Sequence, residues 1–437
     1  MAEQEIITRA LKSAGIEQLN AMQKEALSAP VHRDLMLISP TGSGKTFAFL
    51  LPLLPLLSPE RKGIDALVIT PSRELALQIE TVFRSLATGL SVRCCYGGHP
   101  FATERRSLQD PPSLLIGTPG RILDHLTKGT IDLSQVRFLI LDEFDKSLEL
   151  GFLKEMRAII TSLSCLRRRI LTSATNAVDI PPFVGMKDPI RLDYSNDKDQ
   201  KGGKLTVRVV QSPQKDKLDT LVRLLGELGD NSAIVFCNHR ESAERVSDYL
   251  HSLKIPNECF HGGMEQSDRE ESLIRFSNGS SLILVSTDLA SRGLDISEVK
   301  NIIHYHLPVN EEAYLHRNGR TARQSASGNV FLILNELDRL PEYITPYPEE
   351  FFLPANARVP LPPKWATVTI SKGKRDKLSK SDVVGFLLQK GQLKKEDLGN
   401  VTVTESCAFA AVNADEKQAL LRRIEGEKIK NRNVTFS

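Results

Sequence analysis

Two series of short apolar runs, each bounded by turn residues and separated by stretches at helical spacing, constrain this chain more than any other feature. From about residue 34 to 190 the runs are DLMLIS, DALVITP, SVRCCYGG, SLLIGTP, VRFLILDE and RRRILTSA. From about 207 to 335 they are VRVVQ, NSAIVFCN, PNECFHGG, LILVSTD, VKNIIHYHLP and NVFLIL. Short apolar runs that alternate with helical segments such as RESAERVSDYLHSL imply parallel sheets with crossover helices. The expectation is an α/β chain with two parallel-sheet domains. Between the series, NDKDQKGGK (196–204) has no apolar residue and two glycines, the composition of a flexible linker.

After the second series the pattern changes. Residues 341–363 hold seven prolines and read as an extended tether rather than a packed element. The last 74 residues run strand WATVTI, helix KSDVVGFLLQK, strand LGNVTVTE, strand CAFAAV, helix ADEKQALLRRI and strand KNRNVTF, the βαββαβ order of a small RNA-recognition-like module. This tail carries 15 Lys+Arg against 9 Asp+Glu, a net of +6 in a chain whose total is +3, so the basic excess is in the tail. Six cysteines show no CxxC pair and read as reduced, mostly buried thiols. The most apolar stretch, FAFLLPLLPLL, is short and broken by Pro52 and Pro55, and the N-terminus lacks a basic start followed by an apolar core. A cytoplasmic location is expected.

SPTGSGKTF, residues 39–47, follows the strand DLMLIS and opens a helical stretch. In such a turn Thr41, Gly42, Ser43 and Gly44 expose successive backbone N–H groups at a helix start, where they favour phosphate oxygens. Lys45 would reach the β and γ phosphates and Thr46 would offer an oxygen to Mg²⁺. About a hundred residues on, LILDEFD ends a strand in carboxylates. Asp142 can hold the metal through water while Glu143 polarises the attacking water. Phe144, between the acids, is expected to pack beneath the strand end.

These residues resemble the DEAD-box RNA helicases of helicase superfamily 2. The resemblance runs in order over roughly residues 15–335: Gln23, SPTGSGKT, PSRELA (71–76), GG (97, 98), TPGR (118–121), DEFD (142–145), SAT (173–175), IVFCNHR (234–240), HGGMEQSDR (261–269), STDLASRGLD (286–295) and HRNGRTAR (316–323). It implies two RecA-like domains that close over ATP and RNA. Gln23 would read the adenine edge, Asp295 would contact the ribose, and Arg320 and Arg323 would reach the γ-phosphate. Ser173 and Thr175 would couple nucleotide to RNA. Arg73, Gly98, Thr118, Arg121, Arg240, Gln266, Arg269, Thr287 and Arg292 correspond to positions that contact RNA, mostly its phosphates and sugars. The departures are DEFD for DEAD, HRNGRTAR for HRIGRTGR, and no aromatic or proline in GIEQLNAM before Gln23.

The tail more distantly resembles the C-terminal RNA-binding domain of DbpA-type DEAD-box proteins, which recognise a hairpin of large-subunit ribosomal RNA. Lys372, Lys374, Arg375 and Lys377 are its candidate RNA contacts, and Trp365 and Phe409 are either stacking platforms or core. The domains expected are residues 1–195 (RecA-like, ATP-binding), a linker over 196–206, 207–340 (RecA-like), the tether over 341–363, and 364–437 (RNA-binding). The resemblance implies a monomeric RNA-dependent ATPase that separates short duplexes, acting on ribosomal RNA during large-subunit assembly. An ATP-gated RNA clamp with incidental turnover is the alternative. A DNA-translocating helicase is a third reading, separable by comparing stimulation by RNA and DNA.

Overall fold

The computed structural model describes the chain apart from residues 1, 41, 59, 62, 99, 175–178, 196–204, 289–298, 322–326, 355 and 357. It divides near residue 201 into two compact units. The expected linker lies outside the described residues except for 205 and 206, which open a strand instead.

The first unit is built on seven parallel strands: β1 (Leu35–Ile38), β2 (Ala66–Ile69), β3 (Val92–Cys95), β4 (Leu114–Gly117), β5 (Phe138–Leu141), β6 (Arg168–Ser173) and β7 (Ile190–Asp193). Their order across the sheet is β3-β4-β2-β5-β6-β1-β7. Helices cover both faces. Leu35 and Leu37 enter one core with Met22, Phe49 and Phe83, while Met36 and Ile38 enter the other with Ile122, Phe144 and Met156. A strand that feeds two cores has no solvent side, which is why the apolar runs do not alternate.

The second unit begins with a second seven-stranded parallel sheet made of β8 (Leu205–Gln211), β9 (Ala233–Cys237), β10 (Glu258–Phe260), β11 (Ile283–Thr287), β12 (Asn301–His304), β13 (Gly328–Leu334) and β14 (Glu349–Glu350). Its order is β10-β11-β9-β12-β13-β8-β14. The tail follows as a three-stranded antiparallel sheet, β15 (Trp365–Ile370), β17 (Ala408–Asn413) and β16 (Leu398–Val403), backed by helices Lys380–Gln389 and Lys417–Ile424. Its core is Val368, Ile370, Val383, Leu387, Ala410 and Val412 with their neighbours. The single last strand expected from KNRNVTF is divided. Lys430 and Asn431 take left-handed φ values of 50° and 60°, closing a hairpin between Lys428–Ile429 and Arg432–Asn433. Only then does the chain pair with β15, where Thr369 and Ser437 exchange backbone hydrogen bonds.

The segment expected as a tether opens on a turn, in which the Ile344 N–H donates to the Pro341 carbonyl at 3.0 Å, and from residue 349 it packs against the second sheet and its helices. Glu349 and Glu350 pair with Arg208 and Val209, and the Phe351 N–H donates to the Val209 carbonyl at 2.7 Å. The Phe351 ring meets Phe331 edge-on at 5.4 Å. Arg223 donates to the Pro354 carbonyl at 2.8 Å. On helix Leu218–Leu228, a Cβ at Gly226 would fall 1.8 Å from the Arg358 carbonyl oxygen, so the chain passes where only glycine leaves room. Proline content says nothing of the surface beneath the segment. The tail is held too: Asn278 donates to the Thr367 hydroxyl at 2.9 Å, which donates to Ser280 at 2.7 Å.

Candidate ATP site and nucleic-acid interface

Parallel sheets present their loops at the carboxyl ends of the strands, so strand order decides which loops are neighbours. In the first unit β5, β6 and β1 are adjacent and gather the acids at 142 and 143, Ser173 and the phosphate-loop sequence. The other half, β3-β4-β2, gathers Gly98, Thr118, Arg121 and Arg73.

Gly44 caps helix Lys45–Leu50 with φ 86°, and a Cβ there would sit 2.5 Å from the Gln23 amide nitrogen. Gln23 accepts from the Asn20 N–H at 3.0 Å and donates to the Gly44 carbonyl at 3.2 Å, while Asn20 donates to the Ser43 carbonyl at 2.9 Å. The residue expected to read adenine thus also braces the phosphate turn. The buried Lys45 ammonium donates across that turn to the Ser39 carbonyl at 2.6 Å. Thr46 is half-buried beside it. Ser39 N–H donates to the Ser173 carbonyl at 3.1 Å, extending the β1–β6 ladder into both loops.

At the end of β5, Asp142 accepts from the Thr172 hydroxyl at 2.5 Å, and Thr172 accepts from the Glu143 N–H at 3.0 Å. Burial and the neighbouring Glu143 push the Asp142 carboxyl up to about 6, against the pull of Thr172 and Lys45. Glu143 holds a left-handed backbone (φ 47°, ψ 54°) at the start of helix Phe144–Glu149. Phe144 is fully buried in the second core. Asp145 accepts from the Ala174 N–H at 3.1 Å, so the acidic loop is tied to SAT through its backbone.

On the other half of the sheet, Ser72 caps helix Arg73–Ser85, and the Arg73 guanidinium lies 3.4 Å from where a Gly97 Cβ would be. Gly98 has φ 94°. Thr118 precedes helix Pro119–Thr127. Arg121 does not face outward: its side chain is 13 % exposed and pairs with Glu104 at 2.5 Å.

The second unit repeats the division. The helix after β9 opens on Arg240, the helix after β10 carries Gln266 and Arg269, and Thr287 ends β11. A Cβ on Gly263 would come within 2.9 Å of Arg240, and Arg269 lies over Phe260 at 4.9 Å. Beyond β12, helix Glu311–Asn318 delivers Arg317 into a buried knot. Arg317 donates to both oxygens of Asp288 (2.5 and 2.7 Å), to Asn238 at 2.7 Å and to the His306 carbonyl at 2.7 Å. Asn318 Oδ1 meets His304 Nε2 at 3.0 Å. The Arg320 N–H donates to the Arg317 carbonyl at 3.2 Å, and its side chain is buried.

In the tail, Lys372, Lys374, Arg375 and Lys377 sit on one loop. It is pinned by Lys374 and Arg375 N–H groups donating to the Thr404 and Glu405 carbonyls at 2.9 and 3.0 Å. Lys374, Arg375 and Lys377 are exposed, and Lys372 is half-buried 3.4 Å from Asp376. Of the two rings, Phe409 is buried, and Trp365 is half-buried, with Gly279 and Gly399 against it and the Lys364 ammonium 5.1 Å from its ring centre.

The comparisons with known proteins agree with this geometry. Residues 20–180 match the DEAD/DEAH box helicase family, 216–325 the helicase conserved C-terminal domain, and 367–437 the DbpA RNA binding domain. The chain is 33 % identical over 441 residues to the ATP-dependent RNA helicase DbpA of Escherichia coli, covering 97 % of this chain and 94 % of that one. This chain is a DEAD-box ATP-dependent RNA helicase. The helicase is also 36 % identical over 339 residues to the ATP-dependent rRNA helicase RRP3 of Ajellomyces capsulatus, covering 76 % of this chain and 70 % of that one. Its fold is shared with S. cerevisiae Dbp5 bound to RNA and ADP BeF3, at TM-score 0.67 and 23 % identity, over 76 % of this chain and 87 % of that one.

Of the residues singled out in the helicase's sequence, Thr41, Thr175, Arg292, Asp295 and Arg323 lie outside the described residues. Thr172 and Arg317, which organise the site, were not singled out. Thr172 stands one position before SAT, and Arg317 lies inside HRNGRTAR itself. Neither announces itself by type; the signal for both is position beside a functional motif. No helix among the described residues is long and apolar enough to cross a membrane.

Proposed function

We propose that this helicase remodels structured ribosomal RNA during assembly of the large ribosomal subunit, by local strand separation driven by Mg²⁺-ATP. The observation that carries the target is the tail. A domain of the DbpA RNA-binding type presents Lys372, Lys374, Arg375 and Lys377 on a loop fixed by backbone hydrogen bonds, while Phe409 is buried and Trp365 is half-buried against Gly279 and Gly399. Cations on a fixed loop suit the phosphates of a folded RNA better than splayed single-stranded bases.

For the chemistry, Lys45 holds phosphate, Gln23 contacts adenine, and Glu143 orients the attacking water and takes its proton. Thr46 and Asp142 would hold Mg²⁺, which neutralises phosphate charge. The fit is electrostatic: Asp142 and Glu143 are adjacent and buried, and two carboxylates brought out of water side by side call for a cation. Arg320 and Arg323 belong to the second domain and supply positive charge to the γ-phosphate. Arg73, Gly98, Thr118, Arg240, Gln266, Arg269 and Thr287 form the sequence-independent RNA contacts of the two domains.

The test is ATPase titrated with large-subunit ribosomal RNA and with a size-matched unrelated RNA, for the native chain and for K372A/K374A/R375A/K377A. The variant should need about tenfold more ribosomal RNA for half-stimulation, with a smaller change on unrelated RNA. Equal half-stimulation by both RNAs in the native chain would refute the ribosomal target. Tight ATP-dependent RNA retention without strand release would point to a clamp.

A further inference from the structure

Glu104 is 7 % exposed on helix Phe101–Ser107, which follows the Gly97–Gly98 turn. Its Oε1 accepts from the Tyr96 N–H at 3.2 Å, immediately before that turn. Its Oε2 accepts from Arg121 Nε at 2.5 Å and meets His125 Nε2 at 2.8 Å, both on helix Pro119–Thr127. His125 is itself locked, with Nδ1 2.7 Å from the Thr130 hydroxyl and its ring stacked 4.3 Å from Phe101. One carboxylate therefore joins the loop after β3 to the helix after β4.

A second feature holds the same pair of loops together. The Thr118 N–H donates to the Cys95 carbonyl at 3.1 Å, and a Cβ on Gly117 would fall 2.5 Å from that oxygen. The close approach exists only because residue 117 is glycine.

The ligand atoms of Cys95, Glu104 and His125 lie within 4.8 Å of one another, a spacing that could suit a metal ion. The chemistry argues against one. Burial and Glu104 push the Cys95 thiol well up, away from the thiolate a metal needs, and the carboxylate oxygen facing the group is already shared by a guanidinium. The cluster is a hydrogen-bonded knot.

We propose that Glu104 is a positioning residue for RNA binding: it fixes the Gly98 turn and the Thr118–Arg121 helix start in one register, so that their RNA contacts are preset. The inference rests on the reading that this surface faces RNA. Arg121 acts in it chiefly as the handle by which Glu104 grips the helix. A preset surface lowers the ordering cost of binding and leaves the ATP-binding half of the sheet untouched.

The experiment uses the full chain carrying E104A, E104Q, R121A, T118A or E104A/R121A, assayed for ATPase against a single-stranded RNA of random sequence. E104A should raise the RNA concentration for half-stimulation by roughly tenfold, the scale of a lost charge-assisted hydrogen bond. It should leave the rate at saturating RNA and the KM for ATP within about twofold, the split expected of a lost binding register. E104Q keeps an acceptor for Tyr96 but cannot pair Arg121, so it should fall between. The double variant should be no worse than E104A, because the two residues act through one contact. Should E104A fail to fold, E104Q carries the same test with the fold kept. Wild-type half-stimulation in E104A and E104Q overturns the proposal, as does a parallel rise in the KM for ATP, which marks a general structural defect. Wild-type behaviour of both R121A and T118A would instead overturn the RNA-facing reading, and the proposal with it.

Discussion

A non-glycine residue in the left-handed region costs on the order of 1 kcal/mol, so the backbone of Glu143 needs a reason. The reason is aim. Asp142 follows β5 paired to Thr172, and the left-handed step turns Glu143 away from the strand direction while Phe144 drops into the core as the anchor of the turn. Phe144 is thus packing, and F144A, which restores the common DEAD sequence, should keep RNA-stimulated ATPase within about tenfold while costing about 3–5 kcal/mol of stability in urea unfolding. A hundredfold loss in a folded, ATP-binding F144A chain would give the ring a direct catalytic role. E143Q should retain ATP and RNA binding yet lose hydrolysis by roughly two to four orders of magnitude in single-turnover assays, the scale of a lost general base. Near-normal turnover would remove Glu143 from that role. The acids are legible in sequence because they end an apolar run. Thr172 is not, because the group its hydroxyl serves lies 30 residues away and becomes a neighbour only when β5 pairs with β6.

At the scale of elements, β12 and helix Glu311–Asn318 meet through a pair that departs from the common HRIGRTGR motif, Asn318 against His304. Burial first, and then the Arg317 charge, pull the His304 pKa down to about 3, with the Asn318 contact opposing them. His304 therefore stays neutral in the folded domain while an unfolded chain takes up a proton near 6.5. Stability from this site is present above that value and is lost as pH falls toward 3. Between pH 6.5 and 5 the loss is about 2 kcal/mol. H304N, neutral throughout, should flatten the fall in melting temperature over this range. An unchanged slope would place the acid sensitivity elsewhere, for instance among the buried carboxylates. Strands such as β9 and β12 were readable because burial on both faces leaves unbroken apolar runs. The divided end of the tail was not, since the left-handed turn at Lys430 and Asn431 interrupts a stretch whose composition still suits a strand.

For the whole molecule, what matters is that the basic tail is held against the second sheet's domain rather than floating. A floating tail would act only by raising the local RNA concentration; a fixed one presents its RNA in one orientation. Composition alone favours the first, because seven prolines predict an extended segment and nothing in 341–363 shows what lies under it. The deciding residue is more than a hundred positions earlier. Gly226 sits inside a helix, where alanine is ordinarily better by about 1 kcal/mol, and it leaves room for the Arg358 carbonyl. The sign of G226A therefore separates the two pictures. If the segment floats in solution, G226A should stabilise the helix and raise the melting temperature. If it is seated, the added methyl must displace the chain, and overpacking of this kind costs about 1–3 kcal/mol. We expect the second result: a lower melting temperature, and trypsin cleavage after Arg358 faster by about tenfold, as local opening becomes easier. Half-stimulation by ribosomal RNA should weaken in the same variant, while the ATPase maximum at saturating RNA holds, because the ATP-site residues belong to other elements. A G226A chain that is more stable than the parent and cleaved no faster would show that the tail is tethered after all.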